Sequence, residues 1–145
     1  MELSEEMIKM IEVVKNYDSE LKKSCTSYIA PDIPDKVIKK LLKNFDSHMP
    51  VNSIIAYYDE TVFNSTKRET VFNSTKRGTV FTTDGVYFKD IMTKPMYFRY
   101  IDIVSCEVTG NYLRLNLQNS DETYFDHYAF CDEITEKIVI EQLKN

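Results

Sequence analysis

The sequence predicts an α+β fold: two N-terminal helices, then about seven antiparallel strands in a meander, sandwich or small barrel, then a C-terminal helix. Two observations carry this. Apolar residues recur at spacings of three and four up to Phe45 and again after Asp132. Between Ser53 and Phe125 the apolar runs are short, rich in β-branched and aromatic residues, and punctuated by the turn signals Asp84-Gly85, Gly110-Asn111 and Asn119-Ser120. A chain of 145 residues can bury one substantial core, which divides it into a helical segment over 1–50 and a strand-rich domain over 51–145.

Leu3, Met7, Met10, Val14, Tyr17 and Leu21 share one helical stripe, and Ser4 followed by Glu5 and Glu6 marks its start. The stripe suits docking on the chain's own core; pairing with a second copy, as a homodimer, is its other use. Pro31-Asp32-Ile33-Pro34 ends that helix, and Pro34 fits the first turn of the next. Val37, Ile38, Leu41, Leu42 and Phe45 form its apolar face, with Lys36, Lys39, Lys40 and Lys43 opposite.

Strands are then predicted over Ile54–Tyr58, Thr79–Thr83, Val86–Phe88, Met96–Ile101, Ile103–Val108, Tyr112–Leu117 and Glu122–Phe125. Gly85 is expected to supply a positive φ in the Thr83-Asp84-Gly85 turn. In the C-terminal helix Asp132 can cap and Ile134, Ile138 and Leu143 recur at helical spacing. The expected core is Phe81, Val86, Phe88, Ile101, Val104, Leu115, Leu117, Phe125, Ile134 and Ile138.

The net charge of −5 argues against nucleic acid as a partner, because phosphate binding needs a concentrated basic surface. Cys25, Cys106 and Cys131 are odd in number and lack disulfide or zinc-ligand spacing. No basic leader precedes an apolar run, and no run approaches the roughly 20 residues that span a bilayer. The expectation is a cytoplasmic protein, in which the glycosylation patterns at Asn64 and Asn73 have no use. His48 and His127 are isolated, and each is read as a surface or loop residue. Asp121, Glu122 and Asp126 lack the order of a calcium loop, and three glycines are too few for a phosphate loop. The chain is therefore expected to have no catalytic residues, no metal and no cofactor.

The nine residues ETVFNSTKR occur twice, from Glu60 to Arg68 and from Glu69 to Arg77, and Thr79-Val80-Phe81 echoes them again. A shift of nine reverses the face of a strand, and it spans two and a half helical turns. No single regular element gives both copies the same surroundings. With one copy removed, two strands and an ordinary connection remain. The stretch 60–77 thus reads as a hairpin-loop insertion made by tandem duplication, natural or engineered, in which either copy could supply the parental contacts.

Read with one copy removed, "YIAPDIPDKVIKKLL", "IIAYYDETVFNSTKRGTVFTTDGVYFKD" and "KPMYFRYIDI" resemble bacterial proteins that carry a pleckstrin-homology-like domain, from about Tyr28 to Ile103. The resemblance implies a bent seven-stranded antiparallel sandwich or partial barrel, closed at one end by the C-terminal helix and used for binding or scaffolding. It implies a protein or peptide partner met at a sheet edge or loop end. The alternative it implies is contact with anionic membrane lipid through the basic residues of the first strand–loop–strand, Lys67, Arg68, Lys76 and Arg77.

Overall fold

The computed structural model describes residues 3–23, 25–60, 77–90, 93–118, 124–127 and 132–144. Its elements run α1 (Glu5–Lys15), α2 (Asp18–Leu21), β1 (Thr26–Ile29), α3 (Asp35–Asn44), β2 (Ile54–Asp59), β3 (Gly78–Thr82), β4 (Gly85–Lys89), β5 (Met96–Arg99), β6 (Ile103–Thr109), β7 (Tyr112–Leu117), β8 (Tyr124–His127) and α4 (Asp132–Leu143). The chain is α+β. Its strands form two antiparallel meanders, β1-β2-β3-β4-β5 and β6-β7-β8, and neither closes on itself.

The N-terminal helix starts where Ser4 caps it: the Ser4 hydroxyl accepts the Met7 N–H at 3.1 Å. The expected stripe is not one helix. The Tyr17 N–H turns back to the Val14 carbonyl, the tighter three-residue step that ends α1, and α2 restarts at Asp18. Met7, Met10, Val14 and Leu21 of the stripe are nonetheless buried in the chain's own core.

Each of the seven expected strands overlaps a described one, β2 to β8. β1 is additional. It pairs antiparallel with β2, Tyr28 opposite Tyr57, and so ties the N-terminal segment into the sheet. The Ser27 hydroxyl also donates to the Asp18 carboxylate at 2.5 Å, fastening α2 to β1.

Every residue of β2 and β3 is buried, because both faces of the five-stranded sheet are covered. On one face lies α3, which buries Val37, Leu41 and Phe45 over Tyr57, Val80 and Tyr87. These three sheet residues belong to a single transverse row, Tyr28-Tyr57-Val80-Tyr87-Tyr97, one from each strand in register. Phe45 meets Tyr57 and Tyr87 edge-on, and the Tyr87 hydroxyl donates to Asp46 at 2.9 Å. Burial, then Asp46, pushes the Tyr87 phenol far above its ordinary range.

On the other face Tyr58, Phe81, Val86 and Phe88 meet α1, α4 and the second sheet. Buried polar bonds register these parts: Tyr58 bonds Thr135 of α4, and the Gln142 amide donates to the Met10 carbonyl at 3.1 Å.

Part of the expected core is corrected. Ile101 is 67% exposed and Val104 60%. Ile101 falls in a short 3-10 turn, Tyr100–Asp102, rather than extending β5. In β6 a register irregularity between Ile103 and Ser105 breaks strict alternation, so Ile103 and Cys106 turn inward and Val104 outward. Leu117, Phe125 and Ile134 are half-buried at the margin of the core. Gly85 has no positive φ; it is needed because a Cβ there would stand 2.3 Å from the Phe98 carbonyl oxygen.

Candidate interaction surface

The large apolar side chains left in solvent are not scattered evenly. Met96, Tyr97, Ile101 and Val104 fall within one short segment of chain. This segment is β5, the outer strand of the first sheet, then the 3-10 turn, then the start of β6, the outer strand of the second. Among the described residues the chain thus passes from one edge strand to another, and Ile101 and Val104 are its most exposed large apolar side chains, while Met96 and Tyr97, adjacent on β5, lie on opposite faces of the first sheet. Further along β6 the edge is occupied: the Glu136 carboxylate of α4 accepts the Val108 N–H at 3.1 Å. Ile140 of α4 adds a further exposed apolar side chain.

Met96 also stands at a cleft of about 320 Å³ between β4, β5 and β8. Phe88 and Phe125 line it, with their rings 5.7 Å apart, and Lys89, Lys94 and Asp126 give it charged walls. His127 lies at its end. His127 is buried, not a surface residue: its ring packs 4.7 Å from Phe88, and a 2.9 Å hydrogen bond joins its Nδ1 to Asp132 at the start of α4. A histidine that ends a strand and meets a helix start has no local sequence pattern to announce it.

Asp126 is held by Arg114 in a two-pronged pair at 2.7 and 2.9 Å, and the guanidinium lies over the Tyr124 ring. That hydrogen bonding, with burial opposing, keeps the Asp126 carboxyl below its ordinary value. Burial, then Glu136 and Glu107, pushes the Cys106 thiol up to about 12, far from a reactive thiolate. His48 is exposed beside Ser47.

Of the basic residues singled out in the duplicated stretch, Lys67, Arg68 and Lys76 lie outside the described residues, as do Asp121 and Glu122. Arg77 sits at the neck of the β2–β3 connection. Its carbonyl accepts the Glu60 N–H at 2.9 Å, and its Nε lies 3.2 Å from the Asp90 carboxylate. The neck thus joins the first residue of the first copy to the last residue of the second. The choice between the Thr-Val-Phe contacts of Thr61–Phe63 and Thr70–Phe72 falls outside the described residues. Among the described residues no group of three or more His, Cys, Asp or Glu side chains is placed to hold a metal, and no helix is long and apolar enough to cross a membrane.

The chain matches no protein-family model, no curated protein and no solved structure.

Proposed function

We propose that this chain is a pleckstrin-homology-like interaction module, without catalysis, that takes an extended protein or peptide segment at the corner where β5 passes into β6. The order of a first meander β2 to β5, a second meander β6 to β8 and a final helix packed on β6 and β7 supports the fold assignment. The exposed side chains of Ile101 and Val104, where edge strand β5 passes into edge strand β6, carry the functional reading. An edge strand offers main-chain hydrogen bonds to an extended partner, and alternate apolar side chains give that partner something to recognise.

The test is selection of binders from a displayed random-peptide library, followed by Ile101→Asp and Val104→Asp. Both side chains are exposed, so each substitution should leave stability within about 0.5 kcal/mol of the parent. Selected peptides should lose at least tenfold in affinity for both variants. Peptides that bind the variants as well as the parent place the partner elsewhere and sink this reading. Sedimentation with anionic vesicles at low and high salt separates it from lipid binding through Lys67, Arg68, Lys76 and Arg77, which would be strong only at low salt.

A further inference from the structure

The seat of β3 is filled by Thr79, Val80 and Phe81, each fully buried. The same triplet occurs at Thr61–Phe63 and Thr70–Phe72. The first cannot take the seat. It follows Asp59 and Glu60 so closely that Glu60 would have to pair with its own neighbour, since Asp59 stands opposite Gly78. The second has no such bar from chain length. Lys67-Arg68-Glu69-Thr70-Val71-Phe72-Asn73 and Lys76-Arg77-Gly78-Thr79-Val80-Phe81-Thr82 differ only at their first and last flanking positions, Glu69 against Gly78 and Asn73 against Thr82.

Both differences fall where the seat is tightest. A Cβ on Gly78 would stand 2.2 Å from the Tyr58 carbonyl oxygen and 3.0 Å from the Tyr57 ring. That carbonyl belongs to the neighbouring strand's backbone and cannot swing aside, and φ at Gly78 is +155°. A glutamate does not fit there. At the other end Thr82 is buried, and its hydroxyl closes the turn into β4. It donates to the Gly85 carbonyl at 3.0 Å and accepts the N–H groups of Asp84 and Gly85 at 3.3 and 3.1 Å. An asparagine would put a longer amide into that space.

We infer that Gly78 and Thr82 select which Thr-Val-Phe triplet becomes β3, and that giving the second triplet the same flanks would open a second, minor register to the sheet. The exchange would pass nine residues from the β2–β3 connection to the β3–β4 turn. That transfer would lengthen the Thr83-Asp84 turn from two residues to eleven and give up the Thr82 bonds to Asp84 and Gly85, so the second register would be the minor one. The side chains entering the core would be identical in the two registers.

The experiment places Glu69→Gly and Asn73→Thr together in the full chain. The parent should give one set of backbone amide resonances for β2 and β4, and the double variant a second, minor set in exchange with it. Phe81→Ala should lower the melting temperature of the parent by about 10–20 °C. In the double variant the loss should be smaller, because Phe72 takes the place, and adding Phe72→Ala should restore the full loss. Two registers in the parent would show that Gly78 and Thr82 do not select. A single register in the double variant, with the full loss on Phe81→Ala, would show that something other than these two residues sets the strand.

Discussion

A Cβ on Gly85 would press on the Phe98 carbonyl at 2.3 Å, whereas one on Gly110, at φ +65°, would meet nothing within 4 Å. The same substitution therefore fails for two reasons. Gly85→Ala should cost about 1–3 kcal/mol through overpacking. Gly110→Ala should cost about 1–2 kcal/mol through backbone strain alone. Asparagine tolerates the left-handed region, so Gly110→Asn should recover part of its loss while Gly85→Asn should be worse than Gly85→Ala. Urea unfolding of the four variants checks this, and equal losses for alanine and asparagine at Gly110 would count against it. Acid gives a second residue-scale test. Asp126 is held below its ordinary value, so its pairing with Arg114 stabilises the fold above about pH 4 and is lost as pH falls through the lower, folded value. Asp126→Asn should be less stable than the parent at neutral pH, and the gap should close in acid. At this scale the sequence misleads where alternation is broken. Val104 and Ile101 look like core because nothing in Ile101–Val108 announces the 3-10 turn or the irregularity after Ile103.

The strands were legible because each carries its own run of β-branched and aromatic residues between turn signals, and β2 and β3, buried on both faces, read as continuous apolar runs. β1 was not. Thr26–Ile29 is short and only half-buried, and what makes it a strand is a partner far along the chain, Tyr28 against Tyr57. The helices divide the same way. The stripe of α1 shows in its spacing, but the step at Tyr17 that separates α2 does not. For α3 the spacing predicts an apolar face, and the structure adds what it covers. Leu41 is fully buried between that helix and the tyrosine row, so Leu41→Ala should cost about 2–5 kcal/mol. Calorimetry checks this; a loss below 1 kcal/mol would mean that α3 rests on the sheet without contributing to its stability.

Across the whole molecule, layers stack from α3 through the five-stranded sheet to a core shared by α1, α4 and the second sheet. The number of layers could not be read from a sequence, because a buried helix face does not say which sheet it meets. The exposure of Ile101 and Val104 was equally hidden: it follows from the 3-10 turn that joins the two sheets and the irregularity after Ile103. The duplicated stretch, by contrast, was plain at sight. Removing residues 61–69 leaves the neck residues Glu60 and Arg77 in place, with a shorter connection between them. Closure entropy follows the logarithm of length and changes by only about 0.6 kcal/mol when a connection is halved, so the shortened chain should unfold within about 1 kcal/mol of the parent. A larger loss would show that the second copy contributes to the packed structure.

The neck has a consequence for how such a gene can change. Glu60 opens the first copy and Arg77 closes the last, so any chain with a whole number of units presents the same pair to β2 and β3. A replication slip that adds or drops one unit is therefore silent at the sheet. Gly78 and Thr82 would keep the added triplets out of β3 however many there were. A slip by part of a unit between Glu60 and Arg77 likewise leaves those residues as the two ends. Inheritance would then tolerate changes in the length of the connection while the fold beneath it stayed fixed.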